Sequence, residues 1–125
     1  MTQIAPYLFY EDAEAAVDFL TRAFGFEEQL RAIGGAGGLH VELRLDGAPV
    51  MLGQATWEYA NPRSSDNATA MVHAYVGDVE ALRERARSAG AEIVNELVEQ
   101  PNGDRRCDIR DPEGHMWSFA QAPAL

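Results

Sequence analysis

An α+β fold built from two β-α-β-β-β units is what this chain predicts, and three observations predict it. Tyr7-Leu8-Phe9-Tyr10-Glu11-Asp12, followed by a helical stretch ending at Phe24-Gly25-Phe26, returns 66 to 67 residues later as His73-Ala74-Tyr75-Val76-Gly77-Asp78, followed by a helical stretch ending at Ala89-Gly90-Ala91. In both copies an Asp stands where a helix N-cap belongs and a Gly where the helix must stop. Each copy then closes on a hairpin signal, Asp46-Gly47 in the first and Asp111-Pro112-Glu113-Gly114 in the second. A lone unit would leave one sheet face uncovered, so the two must combine.

Taken in order, residues 3–10 read as a strand rich in aromatic and β-branched residues. Asp12 caps a helix whose Ala13, Ala16, Val17, Leu20 and Phe24 recur at helical spacing, and Gly25 supplies the left-handed residue that ends it. Residues 26–33 suggest a strand, and Gly34-Gly35-Ala36-Gly37-Gly38 turns the chain; with no helical pattern after it, this is a hairpin rather than a phosphate cradle. Leu39 to Leu45 alternates, with Val41, Leu43 and Leu45 on one face and His40, Glu42 and Arg44 on the other. Residues 48–53 follow as a strand. Residues 54–68, with Pro62, Ser64, Ser65, Asp66 and Asn67, have the composition of a linker. The second unit repeats the order: a strand at 69–76, a helix capped by Asp78 with Val79, Leu82, Ala86 and Ala89 on one stripe and Gly90 at its end, a strand from Glu92 to Val98, a turn at Pro101-Asn102-Gly103, and a hairpin of 105–110 and 115–121. The expected organisation is therefore one domain, 1–125, with a first unit at 1–53, a linker at 54–68 and a second unit at 69–125.

Composition narrows the function. The 125 residues carry 20 acids against 10 bases, a net charge of −10, and every base is Arg. Phosphate binding needs a basic footprint, so nucleic acid is not an expected partner. The acidity serves solubility, or a pocket that draws in a cation. No apolar run is long enough to cross a membrane, and no basic stretch leads into an apolar one at the N-terminus as a signal peptide requires. A cytoplasmic protein is expected. The single Cys107 allows no intrachain disulfide and reads as a small buried hydrophobe.

Asp12 through Phe26, Asp111-Pro112-Glu113-Gly114-His115, Pro6-Tyr7-Leu8 and Gly103-Asp104-Arg105-Arg106 together resemble the vicinal oxygen chelate superfamily: glyoxalases, extradiol dioxygenases, and bleomycin- and fosfomycin-resistance proteins. The likeness covers nearly the whole chain and is greatest to the glyoxalase/bleomycin-resistance branch. It implies a cupped eight-stranded mixed sheet around a cleft, helices outside, and a homodimer. Enzymes of this superfamily hold a divalent metal with four side chains from the first and last strands of each unit. The resemblance places those positions at Ala5, Met51, Met71 and Ser118. None is a usual metal ligand, so no metal and no other cofactor is expected, which argues against glyoxalase or dioxygenase chemistry.

Strand alternation then assigns the cleft. Tyr7 and Phe9 follow Ala5 inward; His40, Glu42 and Arg44 oppose an apolar outer face; His73 and Tyr75 follow Met71; Arg106 and Asp108 share this side. Leu8, Val72, Trp117 and Phe119 fall on the opposite phase, beneath the helices. Such a cleft, rich in aromatic and Met side chains with a few polar groups, suits a small molecule. The expected ligand-binding residues are Tyr7, Phe9, Met51, Trp57, Tyr59, Met71, His73, Tyr75 and Ser118. Trp57 and Tyr59, on the linker, either lid the cleft or dock on a partner subunit. His40, Glu42 and His73 are the candidates for acid–base work or a displaced metal site, against the plainer reading of a hydrogen-bonded structural group. Metal-independent sequestration of a small planar or cationic organic compound is the leading expectation. The rivals are a lyase, isomerase or dioxygenase using His40, Glu42 and His73, and a protein whose cleft is filled by its own side chains.

Overall fold

The computed structural model describes residues 1–125 apart from Ala36, Asp66, Leu125 and the side chains of Ser64 and Ser65. Ala36 of the glycine turn and Asp66 of the linker thus lie outside the described residues. The element order is β1 (Tyr7–Tyr10), α1 (Ala13–Phe24), β2 (Glu27–Ile33), β3 (Leu39–Leu45), β4 (Ala48–Gln54), α2 (Pro62–Ser65), β5 (Met71–Tyr75), α3 (Val79–Ser88), β6 (Glu92–Glu99), β7 (Arg105–Arg110) and β8 (Met116–Gln121). The fold is α+β, as the sequence predicts. The eight strands are hydrogen-bonded as two mixed sheets of four, in the orders β1-β4-β3-β2 and β5-β8-β7-β6.

The internal repeat holds at the level of register. β1 runs parallel to β4 with Tyr7 opposite Met51, and β5 runs parallel to β8 with His73 opposite Ser118. The helix caps repeat too: Asp12 accepts from the Ala15 amide and Asp78 from the Ala81 amide, each at 3.0 Å. Gly25 and Gly90, at φ 88° and 87°, supply the left-handed turn after each helix.

Several strand ends shift by one or two residues, and the first strand and the linker depart further. β1 begins at Tyr7, not residue 3, because Pro6 has no N–H and restricts Ala5 before it. Only the Pro6 carbonyl joins the sheet, accepting from the Met51 amide at 2.9 Å. The linker is not wholly irregular: Pro62 starts the single helical turn of α2, where its fixed φ suits a first helical position.

One core serves both sheets. Val41, Leu43, Val50 and Leu52 of the first sheet and Cys107, Ile109, Trp117 and Phe119 of the second are all buried with one face of α1. The Phe24 ring sits 5.3 Å from Trp117 and 4.8 Å from Phe119, and Phe26 sits 5.6 Å from Trp117. Trp117 and Phe119 are the outward phase of β8 and lie beneath the helices, as alternation requires. Burial pushes the Cys107 thiol up to about 11, so it stays a neutral core group.

The β7–β8 turn ties this core to β1. Asp111 accepts from the Tyr10 hydroxyl at 2.5 Å, the Trp117 indole at 3.1 Å and the His115 amide at 3.0 Å. Glu113 accepts from the Glu11 and Asp12 amides at 2.6 and 2.9 Å, and from the Asn61 amide group. At the far end of α1, Arg85 of α3 donates to the Arg22 and Thr21 carbonyls at 2.8 and 3.1 Å. His115 is half-buried and does more than close its own turn: its Nε2 donates to the Phe9 carbonyl at 2.7 Å.

Asp111→Asn sets an amide donor against the Tyr10 and Trp117 donors and should cost roughly 2–3 kcal/mol in urea unfolding. Burial raises the Asp111 carboxyl, against the lowering bonds from Tyr10 and Trp117. A raised folded-state value means that the stability linked to this group is full below the ordinary Asp range and falls as pH rises through the folded-state value. The stability difference between wild type and Asp111→Asn should therefore shrink as pH rises above about 4; a difference that grows would contradict the assignment.

Candidate functional site

Helices cover one face of each sheet, and the uncovered faces carry the polar and aromatic residues. On the first sheet, Tyr7, Phe9 and Tyr59 form a run of rings: Phe9 and Tyr59 stack at 4.6 Å and 16°, Tyr7 and Phe9 at 5.1 Å and 28°. The Tyr7 hydroxyl lies 2.7 Å from His40 Nδ1, and His40 Nε2 lies 3.3 Å from Glu42 Oε2. Tyr7 is on β1 and His40 on β3, so the phenol must cross β4 to make this bond. It crosses at Gly53, opposite His40, where an added Cβ would stand 2.8 Å from Tyr7 Cε1. Partial burial, helped by the Glu42 charge, raises the Tyr7 phenol, which stays protonated at neutral pH.

On the second sheet, His73 Nδ1 lies 2.9 Å from the Ser118 hydroxyl, and its ring meets Tyr75 edge-on at 5.1 Å. The Tyr75 hydroxyl donates to Asp104 at 2.8 Å, a bond that raises the phenol. Arg106 donates to Asp108 at 3.0 Å and reaches Met71 Sδ at 3.6 Å. Asp108 also accepts from Asn95 at 2.8 Å. Burial would raise the Asp108 carboxyl, but the bonds from Asn95, Arg106 and Ser118 outweigh it and hold the group low.

β1 and β5 are edge strands, and between them lies a cleft of about 470 Å³ whose walls include Pro6, Tyr7 and Leu8 on one side and Met71, Val72, His73 and Met116 on the other. A neighbouring hollow of about 310 Å³ is lined by His73, Tyr75, Gln100, Asn102, Asp104 and Arg106. The sequence-predicted residues thus fall into two groups. Tyr7, Phe9, Tyr59, His40 and Glu42 come together on the first sheet, with Met51 paired opposite both Tyr7 and Glu42; Met71, His73, Tyr75 and Ser118 come together on the second. Trp57 joins neither, standing 91% exposed. The polar wall of Gln100, Asn102 and Asp104 was missed, although the Pro101-Asn102-Gly103 turn marked its place. Gly53 was missed too; a glycine inside a strand is itself a signal of close approach.

The model of the glyoxalase/bleomycin resistance protein/dioxygenase superfamily matches residues 2–119. The chain belongs to this superfamily. An uncharacterized protein of Mycobacterium bovis is 37% identical over 124 residues, covering 94% of this chain and 82% of that one. Among solved structures, TioX from Micromonospora sp. ML1 is 34% identical with a TM-score of 0.76, over 99% of this chain and 98% of that one. TnmS3, an antibiotic binding protein from Streptomyces sp. CB03234, has a TM-score of 0.77 over 98% of both chains at 19% identity, a likeness of fold alone.

The superfamily's enzymes imply a metal, and the residues at the corresponding places here do not fit one. Ala5 and Met51 offer no charged or imidazole ligand, Met71 contacts Arg106 through its sulfur, and the Ser118 hydroxyl is bonded to His73. His40 and Glu42 meet, but His73 is on the other sheet. Among the described residues, no three His, Cys, Asp or Glu side chains are grouped to hold an ion. No helix among them is long and apolar enough to cross a membrane.

Gly53→Ala should cost roughly 1–3 kcal/mol by overpacking against the Tyr7 ring. In a Tyr7→Ala background the same change should be close to neutral, so a double-mutant cycle by urea unfolding reads the contact directly. Equal costs in both backgrounds would mean that Gly53 is not what seats Tyr7.

Proposed function

We propose that this superfamily member binds and sequesters a small planar organic compound in the cleft between β1 and β5, without a metal. The observation that carries this is the run of stacked rings from Tyr59 through Phe9 to Tyr7, left open on a sheet face beside that cleft. Tyr7 and Tyr59 are 43% and 56% exposed. Flat apolar faces held in a row, with the Tyr7 hydroxyl already hydrogen-bonded to His40, are arranged to receive another flat ring. The net charge of −10 favours a ligand that is also cationic. An antibiotic-binding protein with the same fold supports the same class of task. The competing enzyme reading needs His40, Glu42 and His73 at one reacting atom, whereas His73 is committed to Ser118.

A thermal-shift screen of planar polycyclic compounds, antibiotics included, should find stabilising ligands. One present at 100 times its Kd should add about 2.7 kcal/mol. Phe9→Ala should then weaken that ligand by about fivefold or more, as loss of a stacking face costs on the order of 1 kcal/mol or above. Protein purified without chelators should carry no stoichiometric transition metal by elemental analysis; one equivalent lost on changing His40, Glu42 or His73 would replace this reading with the metal-dependent one.

We further propose a homodimer. Strands β1 and β5 are open edges beside a half-open cleft, while Trp57 and Ile33 stand in solvent; an isologous partner is the commonest way to cover such surface. Sedimentation should give twice the 13.7 kDa chain mass, and a monomer at high concentration would end this proposal.

A further inference from the structure

We propose that Tyr7, His40 and Glu42 form a subsite that takes a hydrogen-bond donor of the bound molecule, a phenolic hydroxyl being the fitting class, onto the oxygen of Tyr7. The proposal rests on the reading of the cleft as a binding site for planar compounds and adds the polarity of one of its contacts.

The direction follows from what each group can give. A carboxylate only accepts, so the Glu42 contact at 3.3 Å favours the hydrogen of His40 on Nε2. His40 Nδ1 is then bare and must accept, and the only hydrogen of the Tyr7 hydroxyl goes to it at 2.7 Å. The phenol oxygen is left with lone pairs alone to offer. It offers them in the wall of the cleft, on a side chain 43% exposed. A ligand hydroxyl or N–H can bond there without disturbing anything. A ligand carbonyl or ether oxygen meets another acceptor, and to satisfy it Tyr7 must give up its short bond to His40.

A second observation, independent of hydrogen placement, shows the subsite to be built. Without a hole in β4 the phenol could not reach across it, and Gly53 is that hole, with room for no Cβ under Tyr7. Phe9, stacked on Tyr7 at 5.1 Å, fixes the ring from the side. The acceptor is therefore held in place before any ligand arrives.

The test has two arms. In the first, nitrogen NMR of the ligand-free protein reads the protonation of His40: Nε2 should carry the hydrogen and Nδ1 should not, and a protonated Nδ1 would overturn the proposal. In the second, a naphthol and its methyl ether are titrated against wild type, Tyr7→Phe and Phe9→Ala. The ether is the more apolar of the two and would bind better by burial alone. Wild type should instead prefer the naphthol by about five- to tenfold, one net hydrogen bond. Tyr7→Phe, which keeps the ring, should erase that preference, and Phe9→Ala should weaken both probes alike. Equal binding of the two by wild type, or a preference that survives in Tyr7→Phe, would overturn the subsite while leaving the cleft reading intact. Binding of neither would overturn the cleft reading and the ligand half of this proposal with it, the NMR arm still deciding the hydrogen-bond chain on its own.

Discussion

Helix α1 is held at both ends by the far half of the chain, and the rest of the structure hangs on that clasp. Glu113, in the β7–β8 turn, puts a carboxylate on the amides that open the helix, and Arg85, on α3, puts a guanidinium on the carbonyls that close it. Each charge meets the end of the helix dipole that favours it. The Asp12 amide and the Arg22 carbonyl, at the two ends of the helix, thus find partners in residues distant in sequence. At the end of α1, Phe24 packs against Trp117 and Phe119, so the two sheets share a core although, among the described residues, no strand of one pairs with a strand of the other.

That arrangement decides where function can sit. With α1 and α3 packed together on one side, the apolar phase of every inner strand is spent on the core. The opposite phase of each sheet, with the edge residues of β1 and β5, Leu8 and Val72 among them, remains for a ligand. The edges of β1 and β5 are never paired with each other, because the clasp joins the halves through the β7–β8 turn and the helices rather than through the strands. A gap is left along these edges, and it becomes the cleft. His115 limits it at one end by bonding the Phe9 carbonyl. Tyr7 in the cleft wall and Tyr75 in the neighbouring hollow are already partnered, Tyr7 to His40 and on to Glu42, Tyr75 to Asp104, which keeps their positions fixed and their donors and acceptors distinct.

The repeat, the two capped helices and the alternation of β3 made the fold legible, since each rests on local chemistry that the chain displays openly. Strand phase also told which residues share a face: Tyr7 with Phe9, His40 with Glu42, His73 with Tyr75. Less could be read of contacts that cross strands. Nothing local says that Tyr7 will span β4 to His40, because the bond depends on the absence of a side chain at Gly53. Asp104 and Asn102 were hidden for a related reason: Asn102 reads as part of a turn and Asp104 as part of a motif before the last hairpin, whereas Asp104 accepts from the Tyr75 hydroxyl and the two side chains bond each other. The role of Glu113 was equally out of reach: the turn motif was visible, but its target, the amides of Glu11 and Asp12, lies about a hundred positions away and is set only by the packing of the two halves.

The two copies have diverged where a symmetric site would need them alike. Equivalent register positions hold Tyr7 with Met51 in one sheet and His73 with Ser118 in the other. A four-ligand metal centre would draw instead on Ala5, Met51, Met71 and Ser118, the places that the resemblance assigns to ligands. Ala5 brings no ligand atom, Met51 and Met71 bring only thioethers, with Arg106 against the Met71 sulfur, and the Ser118 hydroxyl is bonded to His73. Each sheet has closed its polar account locally, one as an aromatic wall with an acceptor at its edge, the other as a pocket of His, Tyr and carboxylates. Two such different surfaces beside one gap fit the proposed grip on an asymmetric molecule by its face and its rim better than chelation of two neighbouring oxygens through one ion.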